Sequence, residues 1–74
     1  MFDTNRFLSD NFGGHPRLIA FVRSFGYEPP NAEAAYKWFR RGAVPGEWFP
    51  VLVALLELER GKPLTLVPYL KAGN

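Results

Sequence analysis

Residues 31–50 read NAEAAYKWFRRGAVPGEWFP, a polar start and a basic end followed by a glycine, a Pro-Gly break and a second aromatic cluster. Asn31 suits an N-cap, because its side-chain oxygen can accept from one of the amides that a first helical turn leaves unpaired. Glu33 lies where a negative charge complements the helix dipole, and Lys37, Arg40 and Arg41 lie where positive charges do. The spacing predicts a helix over 32–41, stopped by Gly42. Ala35, Trp38 and Phe39 form its inner face, leaving Glu33, Lys37, Arg40 and Arg41 outside or at the margins. A further helix is expected over 46–60, ending at Gly61, with Pro50 about one turn inside it, where a proline bends or loosens the start. This helix carries Val51, Val53 and Leu58 beyond Trp48, Phe49, Leu52, Leu55 and Leu56, and a helix so apolar all round is expected to be buried on more than one side.

Upstream, FDTNRFLSDNFGG predicts a helix over 4–12. Asp3 is its N-cap, Phe2 and Phe7 have the spacing of a hydrophobic staple, and Gly13 is its stop. Pro16 suits a first helical turn, and Leu18, Phe21, Val22 and Phe25 recur as a buried stripe, which predicts a second helix over 16–25 ending at Gly26. The prolines of YEPPN cannot continue a helix, so this is a rigid turn. Downstream, Pro63 and Pro68 argue against a central strand, and residues 62–71 read as an extended segment followed by a helical turn, with Thr65 a possible cap. The architecture expected is a single all-α domain of four to five short helices.

The chain has 74 residues and no cysteine, so neither disulfides nor a thiolate zinc site can supplement one modest core. Seven Phe, three Tyr and two Trp are a heavy aromatic load for that length, and part of it is available to a partner. The net charge is +2, unevenly spread. Residues 32–45 are net positive, through Lys37, Arg40 and Arg41 against Glu33, and residues 46–61 are net negative, through Glu47, Glu57 and Glu59 against Arg60. The N-terminus has no basic region leading into an apolar run, and the longest apolar run, Val51 to Leu56, is far below a membrane span. These features predict a cytoplasmic chain without a membrane partner.

Enzymatic chemistry finds little footing. His15 is the single histidine, Glu57 and Glu59 are two apart on a helix and do not face each other, and Gly13-Gly14 lacks the spacing of a phosphate-cradling loop. No catalytic residue, metal ligand, cofactor or small-molecule substrate is expected.

A helix ending in glycine, a turn, and a basic third helix is the order of a helix-turn-helix domain. Over roughly residues 14–70, the chain resembles the Cro and lambda-repressor-like helix-turn-helix proteins, in particular the small YdaS-type Cro-like regulators of phages and prophages. Trp38 shortly before Gly42 is similar to the family's tryptophan near the end of its recognition helix, and PGEWFP resembles the opening of its next helix. Two features depart from the pattern. Leu18 and Val22 stand where the family usually has Gln and Ala, and the turn after Gly26 is about three residues longer.

The resemblance implies a lambda-repressor-like fold and a double-stranded DNA partner, with the third helix in the major groove and the protein on the nucleoid. Asn31, Glu33, Ala34 and Lys37 would face base edges, and Arg40, Arg41 and Arg17 would lie near phosphates. A homodimer is expected as well, through apolar surface that one core cannot cover, with Val53, Leu58, Leu66 and Tyr69 on the partner face. The alternative is a protein-interaction module that keeps a helix-turn-helix-derived fold and has lost DNA binding.

Overall fold

The computed structural model describes residues 1–71, and two of its four α-helices, the first and the third, begin at a side-chain cap. Helix α1 runs Thr4–Phe12, α2 His15–Ser24, α3 Ala32–Arg41 and α4 Phe49–Arg60, followed by a single 3-10 turn at Val67–Tyr69. Among the described residues there is no strand, only one isolated antiparallel bridge between Phe2 and Leu70.

The Asp3 carboxylate accepts from the Arg6 N–H at 3.1 Å, while Phe2 and Phe7 close the staple with ring centroids 5.7 Å apart. At α3, Asn31 Oδ1 accepts from the Ala34 N–H at 2.8 Å, as its position in the sequence leads one to expect. Helix α2 is displaced by one residue from the span expected, because Phe25 has already left helical geometry and the Gly26 N–H turns back to the Arg23 carbonyl.

The start of α4 is a correction. Gly46–Trp48 form a turn and the helix begins at Phe49, since the Trp48 and Phe49 N–H groups both donate to the Pro45 carbonyl, at 2.9 and 3.2 Å. Pro50 is therefore in the first helical turn, not one turn inside. An amide there has no intrahelical acceptor to lose, so the proline suits the helix start instead of loosening it. Only one side of α4 is buried within the chain. Leu52, Leu55 and Leu56 point into the core, whereas Val51, Ala54 and Leu58 remain exposed.

The tail is extended and then turns, as expected, but Leu66 and not Thr65 precedes the 3-10 turn, and no side chain caps it. Two bonds fix its course. Glu57 Oε2 accepts from the Leu64 N–H at 2.8 Å, and the Asp3 N–H donates to the Tyr69 carbonyl at 2.6 Å, bringing the tail back to the start of the chain. Phe7 sits at this junction, its ring 5.3 Å from Phe49 and 5.6 Å from Tyr69. With Phe7, the side chains of Leu8, Leu18, Val22, Leu52 and Leu56 are the largest that are fully buried, and they come from α1, α2 and α4. Helix α3 contributes Ala35 and Trp38 and lies against α2 and α1.

Gly42 is the residue that ends α3, and it is constrained twice. Its φ of 67° is left-handed, and an added Cβ would come within 3.2 Å of Asn5 Cβ. Gly61 ends α4 at φ 70° with open space around it. Gly61→Ala should therefore cost about 1 kcal/mol from backbone strain alone. Gly42→Ala should cost more, about 2 kcal/mol, because Asn5 must also move. Urea denaturation of the two variants checks the order; equal losses would mean that Asn5 yields freely.

Candidate nucleic-acid interface

A ten-residue helix is about 15 Å long, and the three cations of α3 lie in its C-terminal half, so its charge is concentrated at one end. Lys37, Arg40 and Arg41 are all exposed. Ala34, Lys37 and Arg41 follow one another at helical spacing along a shallow groove, which continues over Ala43, Val44 and Pro45. Glu33 and Arg40 flank Lys37 on the neighbouring row, one turn to either side. Among the described residues the only ion pair is Arg6–Asp10, at 3.5 Å, so none of the three cations of α3 is neutralised by a carboxylate, Glu33 included.

The helix that carries this face is held from behind by three elements. Trp38, 7% exposed, packs its ring 5.5 Å from Trp48, which ties α3 to the turn before α4. From α1, Asn5 Nδ2 donates to the Phe39 carbonyl at 3.4 Å. From the start of α2, the His15 ring stands edge-on to Tyr36 at 5.6 Å. The two tryptophans thus set how the basic segment is presented and leave its cations facing outward.

Not every candidate joins this face. Asn31 is exposed at the leading end of α3, but its Oδ1 is engaged by the Ala34 amide, leaving Nδ2 as the group it can offer. Ala34 is half-buried between the caps and the groove. Arg17 lies elsewhere. It is exposed on α2 beside Asn11, Phe12, Phe21 and Glu59, in a depression that includes no residue of α3. Tyr36, 48% exposed on α3, is a residue the sequence reading passed over. The signal was available: once Ala35, Trp38 and Phe39 define the inner face, Tyr36 falls off it.

The surface assigned to a partner also changes shape. Val53, Leu66 and Tyr69 are half-buried against the core, and Tyr69 additionally has the Arg6 guanidinium 6.0 Å above its ring. Leu58, at 68%, is the exposed member of that group. Its companions are Val51, one of the extra apolar residues of α4 but not among those expected on the partner face, and Tyr27. Val51 and Leu58 are seven residues apart, two turns along one side of α4, and that spacing was the signal.

Among the described residues no group of His, Asp and Glu side chains is placed to hold a metal ion, and no helix is long and apolar enough to cross a membrane. Comparison with protein-family models, with curated proteins and with solved structures returns no match for this chain.

Proposed function

We propose that the chain is a Cro-like, sequence-specific regulator that binds double-stranded DNA by laying α3 in the major groove. The observation that carries the reading is the outer face of α3, where Lys37, Arg40 and Arg41 are exposed and, among the described residues, have no carboxylate partner, on a helix braced by α1, α2 and Trp48. A groove about 12 Å wide admits one α-helix, and the phosphates beside it attract cations at the helix end. The family resemblance of residues 14–70 supports the same reading, and with it a lambda-repressor-like arrangement of α2 and α3, a phage or prophage setting and a place on the nucleoid. No catalytic step or cofactor forms part of it.

Titration with random duplex at low and moderate salt tests this directly. Two phosphate contacts per protomer, from Arg40 and Arg41, give a slope of log affinity against log salt of roughly −2 for each protomer bound. An absence of binding even at low salt would overturn the reading. It would favour the second one, a protein-interaction module, which has its own support in the exposed apolar stripe of α4 and in a net charge of only +2.

A further inference from the structure

Tyr36 is a large side chain of α3 that stands 48% exposed, yet the fold has no use for its hydroxyl. Its ring meets the ring of the half-buried His15 edge-on, with centroids 5.6 Å apart and planes at 79°. That contact braces α3, and a phenylalanine would serve it equally. Among the described residues, neither the phenol oxygen nor an imidazole nitrogen has a hydrogen-bond partner within the chain. Two side chains from two helices thus meet at one edge of α3 with their polar atoms unused.

Helical period fixes where this edge lies. Successive residues turn by about 100°, so around α3 Tyr36 stands about 40° from Arg40 and about 140° from Arg41. Lys37 and Arg41 border the groove over Ala43, Val44 and Pro45, on the side of the turn that leads to α4. Tyr36 borders the other edge, against the start of α2, one turn before Arg40. An α-helix with its side chains is about 10–12 Å across and fills a major groove about 12 Å wide, so the two edges of α3 come beside the backbones of different strands. Helix α2 sets the sign of the edge that Tyr36 occupies. Its first turn holds no acidic residue and Gly14 supplies no side-chain cap, so the positive end of its dipole lies uncompensated at His15. Glu33, the one carboxylate of α3, is a turn nearer the leading end, which meets the groove floor in this arrangement.

We infer that Tyr36 and His15 together hold one backbone phosphate of the DNA strand on the α2 side, the phenol O–H and an imidazole N–H donating to its oxygens. This rests on the DNA-binding reading and adds to it a contact of a different kind. A phenol is uncharged, so its bond to a phosphate releases no counterion and raises affinity without steepening the salt slope. A phosphate oxygen carries no base identity, so the contact is also blind to sequence. Tyr36 therefore differs from Arg40 and Arg41, which steepen the slope, and from Glu33 and Lys37, which set the consensus.

Tyr36→Phe keeps the ring against His15 and removes only the hydroxyl, so the variant should melt like the parent. Fluorescence anisotropy with random duplex over a salt series should show binding weakened about tenfold for each protomer, as expected for one lost hydrogen bond to a charged group, at an unchanged slope. Selection from random duplexes should return the parent's consensus. His15→Ala should weaken binding about three- to tenfold, and His15→Gln, which again offers an N–H, should recover part of the loss. A Tyr36→Phe variant that binds as tightly as the parent would overturn the proposal. So would one with an altered consensus, since Tyr36 would then read a base, or a His15→Ala variant with the parent's affinity. In each of these cases the parent still binds duplex in a salt-dependent way and the DNA reading stands, whereas a parent that binds no duplex at low salt would remove both.

Discussion

Trp38→Ala is expected to leave the protein largely unfolded. The indole is 7% exposed and packs against Trp48 with ring centroids 5.5 Å apart and the planes tilted by 54°, and it is the one large side chain that α3 gives to the buried core. Truncating a buried aromatic costs about 3–5 kcal/mol. A domain of 74 residues holds about 4–11 kcal/mol in all at the usual stability per residue, so one substitution removes a large part of it. The loss is also structural in kind. Without Trp38, α3 keeps only Ala35 and the half-buried Phe39 as apolar anchors, and the turn before α4 loses the surface on which Trp48 rests. Trp48→Ala should be milder, about 1–3 kcal/mol, because Trp48 is already partly in solvent. Thermal melts by circular dichroism separate the two. A Trp38→Ala variant that melts like the parent but no longer binds duplex would make Trp38 a contact residue.

What could be read from the sequence was what local chemistry determines. Asp3, Asn31, Gly13, Gly42 and Gly61 act over one turn of chain, and each sits at the helix end its residue type suits. The start of α4 was not legible in the same way. Whether a Pro-Gly-Glu-Trp segment is the first turn of a helix or a separate turn depends on which amides reach the Pro45 carbonyl, and Trp38 holding Trp48 bears on that choice from across the fold. The tail shows the limit more plainly. Leu66 and Tyr69 look like spare apolar surface in one dimension, yet hydrogen bonding between Asp3 and Tyr69 folds the tail back so that both cover the core. In the candidate site, the outer face of α3 followed from helical period alone. That Arg17 lies apart from it did not, because the rotation of α2 against α3 is set by which side chains of α2 enter the core, and these are Leu18 and Val22.

Positioning and reading should separate along α3 when its residues are replaced one at a time. Arg40 and Arg41 lie exposed in the last turn, where a helix entering the groove by its leading residues brings its far end toward the backbone. Arg40→Ala or Arg41→Ala should weaken binding to all duplexes alike and flatten the salt slope by about one unit per protomer. Removing both should abolish most non-specific binding at moderate salt. Glu33 and Lys37 sit nearer the leading end, and their side chains pair with cytosine and guanine edges respectively. Lys37→Ala should relax the selected consensus at one position in each half-site, a discrimination worth about 1–3 kcal/mol, while binding to random duplex falls much less. Glu33→Ala should do the same at another position. Ala34 offers only a methyl group, so a larger residue there should alter preference beside a thymine. Asn31 belongs with neither pair. Its Oδ1 already caps α3, so it cannot both accept from and donate to an adenine edge, and Asn31→Ala should lose about 1 kcal/mol of stability with little change in consensus. Selection from random duplexes with each variant, read beside its salt slope, tests the division. An identical consensus from the Glu33, Lys37 and parent proteins would mean that α3 does not read bases, and the exposed stripe of α4 would then become the better guide to what the protein binds.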